Sequence, residues 1–235
     1  MASTKVRGVV LGGINYKEKD KLVKLYTLEK GKMTVTMRGV RGDKAKLKIA
    51  KEIFCFGEYI IEEGKTNIVT SVDVIDGFYP LSKNIEKYYE ACAILDIVDK
   101  FSNESNPRLF VEVIKSLKAL AYDNLPKYYV IDKFLLDFLN NMGYFFMTDK
   151  CSSCGATLSG RYLNLDFGEI VCPSCKTATC VQISEACYGA FRLLSQTDYE
   201  KLGSVKFGGM GEVQAFNILA KDYEWRTGYQ VLNII

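Results

Sequence analysis

Leu22-Val23-Lys24-Leu25-Tyr26-Thr27-Leu28, Glu29-Lys30-Gly31-Lys32 and Met33-Thr34-Val35-Thr36-Met37-Arg38 read as strand, turn and strand. In the third segment Met33, Val35 and Met37 alternate with polar side chains, the period of two that marks a half-buried strand. Gly31 supplies the residue able to take positive φ in the hairpin turn. Working outward, Val6-Arg7-Gly8-Val9-Val10-Leu11 predicts an earlier strand that Gly12-Gly13 is expected to stop. Tyr16 to Asp20 is a charged connection. Beyond the hairpin, Ile53 to Glu62 and Thr66 to Val74 predict two more strands around a Glu63-Gly64-Lys65 turn. Five short strands with a long loop before the fourth predict a small closed antiparallel barrel of the OB kind. Another five-stranded sandwich or an SH3-like barrel is the alternative.

The same region is strongly basic. Residues 1–51 carry 14 Lys and Arg against 4 Asp and Glu, a local balance of +10, whereas the whole chain is +3. Everything after Lys51 therefore sums to −7. Positive charge is concentrated on a folded end, the pattern of a module that holds a polyanion. The candidates are Lys17, Lys19, Lys21 and Lys24 at the first connection, then Arg38, Arg41, Lys44, Lys46, Lys48 and Lys51 in the long loop. Loops flanking an OB barrel face are where nucleic-acid strands lie, held by charge and by base stacking on aromatics. Tyr16, Tyr26, Phe54, Phe56 and Tyr59 are the nearby rings, most of them expected in the core. A merely solubilising surface is the bland alternative for the charges.

After Pro80 the period changes to a helical one. Ile85, Tyr88, Cys92, Leu95 and Val98 are spaced as one helical face. Asn106-Pro107 predicts an N-cap and first helical position, followed by a stripe of Leu109, Val113, Leu117 and Leu120. Pro126 is expected to open a third helix bearing Tyr128, Ile131, Leu135, Phe138 and Met142, closed by Gly143. Ser184 caps a further helix through Ala190, Leu193 and Leu194. Gly208-Gly209-Met210-Gly211 lacks the pattern of a phosphate loop and reads as a lead into a last helix, Gly211 to Tyr223. The fold class is α+β: an OB-like barrel domain over residues 1–80, then a helical domain over 81–235 with a zinc-binding insertion at about 148–180.

That insertion is marked by Cys151-Ser152-Ser153-Cys154 and Cys172-Pro173-Ser174-Cys175, two CxxC pairs separated by 17 residues. Each CxxC turn aims two thiolates at one point, and two such turns complete the tetrahedral S₄ set that Zn²⁺ favours. Leu158 to Ile170 can supply the hairpin of a zinc ribbon. A redox dithiol needs only one pair, and an iron–sulfur cluster is the other alternative. Four protein ligands leave no open position, so the expected zinc is structural, one per chain. It would bring the chain's formal charge to +1. Cys55, Cys92, Cys180 and Cys187 are expected to be buried thiols, with Cys180 able to replace Cys175 as a ligand.

The sequence contains no His, which removes His-based nucleophile pairs, His general bases and His-ligated catalytic zinc. No run of 18 uncharged apolar residues is present, which argues against a membrane span, and the first residues lack the apolar segment of a secretory signal. The expected compartment is cytoplasmic, where eight Cys serve as ligands and buried thiols rather than disulfides.

With these parts in order, the chain resembles the bacterial RecO family of recombination mediators. The resemblance is carried by Lys5-Val6-Arg7-Gly8-Val9-Val10-Leu11, Tyr16-Lys17-Glu18-Lys19-Asp20, Thr27-Leu28-Glu29-Lys30-Gly31-Lys32 and Arg38-Gly39-Val40-Arg41. The cysteine knuckle and Trp225-Arg226-Thr227-Gly228-Tyr229 also match. Members of that family often carry Gly where Lys17 stands. The resemblance implies a non-enzymatic, nucleoid-associated protein that binds single- and double-stranded DNA and anneals complementary strands. It also implies RecR and the single-strand-binding protein as partners in loading RecA. A zinc-ribbon factor that binds RNA or proteins in transcription or translation is the alternative from another class.

Overall fold

The computed structural model describes residues 2–42, 49–144, 148–207 and 211–231. They fall into two compact units, Met1–Tyr122 and Asp123–Ile235. The first unit opens with β1 (Ala2–Tyr16), β2 (Asp20–Thr27), β3 (Gly31–Met37), β4 (Phe56–Glu63) and β5 (Ile68–Asp76). These close into a barrel in the order β1-β2-β3-β5-β4. The OB-like architecture is as expected, with one amendment. β3 and β5 run parallel where Thr36 meets Ile68, while the other neighbours are antiparallel.

Gly12-Gly13 do not stop the first strand. β1 pairs with β4 along residues 2–9 and with β2 along residues 8–16, and its register against β2 shifts between Val10 and Gly12. The glycines mark a bulge at a barrel corner, where a strand must bend to serve two neighbours. At Gly13 a Cβ would stand 2.6 Å from the carbonyl oxygen of Leu22, so the close approach itself requires glycine. Inside the barrel Val6, Val10, Val23, Leu25, Val35, Met37, Tyr59 and Ile61 form the core. Each such side chain contributes about 1.5–3 kcal/mol through removal from water. The alternation in β3 holds only in part: Val35 and Met37 are buried and Thr34 is exposed, but Thr36 is buried as well and Met33 is half-buried.

The first unit also contains a 3-10 turn at Tyr79–Lys83 and the helices α1 (Ile85–Phe101) and α2 (Pro107–Tyr122). The grouping by compactness thus runs past residue 80, where the expected barrel domain ends. The cap at Asn106 is formed: its Oδ1 accepts from the Leu109 N–H at 3.1 Å. The stripe of Leu109, Val113, Leu117 and Leu120 is buried. Phe110 sets its ring 5.9 Å from Tyr26 and 6.0 Å from Phe56. The face expected for α1 is met in part: Leu95 and Val98 are buried, joined by Ala91 and Ile94, and Tyr88 and Cys92 are partly buried, but Ile85 is 66 % exposed. Ile85 lies in the first turn, immediately after the Asn84 cap, and is too near the helix end to reach the packed face.

The second unit comprises α3 (Tyr129–Asn141), a sheet of β6 (Arg161–Asn164), β7 (Glu169–Val171) and β8 (Cys180–Ile183), then α4 (Glu185–Gln196) and α5 (Gly211–Thr227). α3 begins three residues after Pro126 because Tyr128 sits in the left-handed region at φ 73°. Ile131, Leu135 and Phe138 are buried, and Gly143 takes φ 90° beyond the helix end. Met142 is half-exposed and lies outside that stripe. Ser184 caps α4, accepting from the Cys187 N–H at 3.2 Å. α5 runs on to Thr227, past the expected end at Tyr223. A buried Arg226–Asp222 pair one turn apart, at 2.8 Å, secures the extension, with the Arg226 guanidinium 3.6 Å from the Tyr144 ring. Of the glycine-rich lead-in, Gly208 to Met210 lies outside the described residues. Among the described residues no helix is long and apolar enough to cross a membrane.

Barrel closure depends on close approach at Gly57, where a Cβ would stand 2.6 Å from the Asp73 carbonyl oxygen across the β4–β5 pair. Gly57→Ala is expected to destabilise the protein by about 1–3 kcal/mol. Gly42→Ala, whose Cβ would have no neighbour nearer than 3.5 Å, should leave the unfolding midpoint nearly unchanged. Denaturant titration of the two variants checks this.

Candidate nucleic-acid interface and metal centre

The two basic segments meet at one end of the barrel. Lys17 to Lys19 form the turn between β1 and β2, and Arg38 to Gly42 follow β3. Arg41 staples them together. Its Nη1 donates to the carbonyls of Lys17 and Glu18 at 3.2 and 3.1 Å, and its backbone N–H donates to the Lys19 carbonyl at 3.1 Å. The Gly39 N–H adds a 2.9 Å bond to Asp20 Oδ1. Lys21 lies opposite Met37 and donates through Nζ to the Lys51 carbonyl at 3.0 Å, tying down the far end of the long loop. The Thr36 N–H donates to the Asn67 carbonyl at 2.8 Å, where β5 begins beside β3, while Glu63 at the start of the β4–β5 turn pairs with Lys30 at the β2–β3 end.

Lys17, Lys19, Lys21, Arg38 and Arg41 are thus gathered, with Glu18 and Asp20 among them. No carboxylate among the described residues ion-pairs with any of the five. The other described cations of the basic segment are engaged. Lys5 pairs with Glu58 at 2.7 Å, Arg7 with Glu29 at 3.4 Å, Lys30 with Glu63, and Lys51 with Glu52 at 2.9 Å. Lys24 stands apart from the gathered set, ion-paired to Asp99 of α1 at 2.5 Å. Lys44, Lys46 and Lys48 lie outside the described residues.

Of the five candidate rings, Tyr26, Phe54 and Tyr59 are buried and Phe56 packs on Phe110, so they serve the core. Tyr16 is 41 % exposed beside Lys17, whose Nζ stands 5.2 Å from the ring centre. Next to it Ile14 is exposed on the same strand. Lys17 holds φ 51°, a conformation that glycine adopts at no steric cost. Sequence reasoning missed Ile14 and Asp99. The first was expected to follow a terminated strand, and Asp99 is 75 positions from its partner Lys24.

The second centre is the cysteine cluster. The Sγ atoms of Cys151, Cys154, Cys172 and Cys175 lie within 4.8 Å of one another. Cys154 and Cys172 are 3.9 Å apart. Four sulfurs 2.3 Å from one tetrahedral ion stand about 3.8 Å apart, so the donor set fits a metal ion. Gly155, at φ 71°, turns the first knuckle, and its N–H donates to the Cys151 carbonyl at 2.8 Å. The second knuckle is the short turn Pro173–Cys175 after β7. Burial works against ionisation of Cys151, but the backbone N–H groups of Cys172, Cys154 and Ser153 pull its thiol down to about 6. Bonds to Cys154 and Cys172 push the Cys175 thiol up to about 12. Cys180 is turned away, its sulfur accepting from the Thr177 N–H at 3.2 Å. The expected hairpin is present as β6 and β7. β8 adds a third strand that sequence reasoning missed, although Val181 and Ile183 around Gln182 show the alternation.

Comparison with known proteins places these features in a family context. A family model described as "Recombination protein O N terminal" matches residues 1–78, and one described as "Recombination protein O C terminal" matches residues 82–231. The chain is 28 % identical to the DNA repair protein RecO of Clostridium novyi (strain NT) over 92 % of its length and 86 % of that protein's. It is 27 % identical to that of Acetivibrio thermocellus, covering 86 % and 81 %. Identity to that of Clostridium perfringens is 29 %, covering 86 % and 84 %.

Cys175→Ser is expected to reduce bound metal from about one ion per chain to near zero, because a tetrahedral set then lacks a thiolate. Cys180→Ser should retain the ion. Elemental analysis of protein purified without chelator distinguishes the two, and retention in the Cys175 variant would show that Cys180 substitutes.

Proposed function

The chain belongs to the recombination protein O family, and on that premise we propose that it is a non-enzymatic, DNA-binding mediator of recombinational repair. Family membership supports a function in DNA repair and recombination. The observation that carries the finer reading is the gathering of Lys17, Lys19, Lys21, Arg38 and Arg41 at one barrel end, without ion-pairing carboxylates among the described residues. Cations left unpaired on a rigid surface are available to phosphates, and their binding releases condensed counterions. Phosphate contacts position a strand without reading its sequence, which suits single- and double-stranded DNA alike. Tyr16, half-exposed beside Lys17, is placed to stack on a base of a single strand. Strand annealing follows from the same chemistry: neutralising two backbones lowers their repulsion while the bases stay free to pair. Lys44, Lys46 and Lys48 are proposed as further DNA contacts on the sequence alone.

In this reading the cysteine cluster holds one structural Zn²⁺ that fixes the second unit's small sheet, contributing about 10–16 kcal/mol to its folding as in zinc-finger peptides. RecR and the single-strand-binding protein are proposed as partners on the family resemblance alone.

Binding to single-stranded DNA across a salt series is the test. Lys17→Gly/Lys19→Ala/Arg38→Ala removes three charges, relieves the left-handed backbone at Lys17, and leaves the Arg41 staple intact. The magnitude of the log–log salt slope should fall by about 2, at roughly 0.7 per lost contact. An unchanged slope would remove the barrel end from the interface. Preference for structured RNA in competition would favour the transcription or translation factor instead.

A further inference from the structure

Asp99, in the last turn of α1, holds two barrel lysines at once. Lys24 Nζ is 2.5 Å from its Oδ2 and Lys32 Nζ is 3.3 Å from its Oδ1. Lys32 also donates to the Asp99 main-chain carbonyl, one of the acceptors that a helix end leaves without an intrahelical partner. In the β2–β3 register Lys24 lies opposite Thr34 and Lys32 opposite Tyr26, so the two lysines are two positions apart along the pair and share a face. That face borders a groove of about 340 Å³ whose lining includes Gly12, Ile14, Leu22, Lys24, Thr34 and Asp99. The groove shares Ile14 with the stretch of β1 that leads to Tyr16 and the gathered cations. Burial alone would raise the Asp99 carboxyl, but the bonds to Lys24 and Lys32 more than reverse this and hold it below the usual range.

A carboxylate between two ammonium groups occupies the position that a backbone phosphate oxygen pair would take. We propose that Asp99 is an internal phosphate substitute that keeps the β2–β3 face of the barrel closed to nucleic acid until a polyanion displaces it. The proposal rests on the DNA-binding reading above. Lys24 and Asp99 are part-exposed, at 50 % and 28 % by side chain. Exposed ion pairs of this kind are weak and screened by salt, so a backbone of closely spaced phosphates can compete for both lysines. Because each new phosphate contact releases counterions and so gains most at low salt, the contact limits the DNA footprint to the turn-and-loop end at moderate salt and lets it spread along the barrel at low salt.

Asp99→Asn removes the paired negative charge from both lysines, while Lys32 keeps its bond to the main-chain carbonyl. Its affinity for an unstructured single-stranded oligonucleotide should rise on the order of tenfold, with a log–log salt slope steeper by about 1.4, two contacts at roughly 0.7 each. Asp96→Asn, one turn earlier on the same helix, removes an equal charge from a carboxylate that pairs with Lys100 at 2.6 Å, and should leave the slope as in the parent protein. Adding Lys24→Ala and Lys32→Ala to Asp99→Asn should cancel the gain. A variant-free readout is zero-length carbodiimide crosslinking, in which the Lys24 amine attacks the O-acylisourea formed on Asp99, giving an amide and releasing the urea. Excess oligonucleotide at low salt should suppress that crosslink in the parent protein. If the parent binds DNA while Asp99→Asn matches it in affinity and slope, or if both Asp variants gain equally, or if the crosslink is indifferent to DNA, the lock is overturned and the DNA-binding reading stands. If neither the parent nor any variant binds DNA, that reading falls and the lock with it.

Discussion

The barrel closes because one strand serves two neighbours. β1 gives its first half to β4 and its second half to β2, and the bulge at Val10–Gly12 supplies the bend between them. Closure removes the free sheet edges that a five-stranded sheet would otherwise expose. It also sets which loops share an end. The β1–β2 turn and the segment after β3 come together, and Arg41 ties them through three hydrogen bonds to backbone carbonyls. The β2–β3 register, with Lys21 opposite Met37, sets the two basic segments side by side.

That arrangement sorts the positive charge of residues 1–51 into two classes. Lys5, Arg7, Lys24, Lys30, Lys32 and Lys51 are balanced by carboxylates. Lys17, Lys19, Lys21, Arg38 and Arg41 are not balanced among the described residues. The raw excess of +10 therefore overstates the available field, whose useful part is a smaller cluster at one barrel end. The cysteine cluster belongs to the other compact unit, where it organises its own knuckles and sheet.

Much of this was legible in the sequence because the signals were local. The period-two pattern of Met33, Val35 and Met37, the cap at Asn106 and the two CxxC pairs each depend on residues within a few positions of one another. What sequence left unread was tertiary. Gly12-Gly13 look like a stop until a second partner strand requires a bend there. Ile85 fits a helical face by spacing, yet it occupies the first turn and is exposed. Tyr26, Phe54 and Tyr59 could stack on bases by chemistry alone, and burial removes them from that role. Asp99 carries no motif, and only the fold brings it to Lys24 and Lys32.

In the proposed function nucleic acid meets this chain at the barrel end that Arg41 organises. Backbone amide chemical shifts, followed as an unstructured single-stranded oligonucleotide is titrated into isotope-labelled protein, test it residue by residue. The largest changes are expected on residues 16–21 and 38–42. Changes confined to residues 123–231, or none at saturating oligonucleotide, would contradict it.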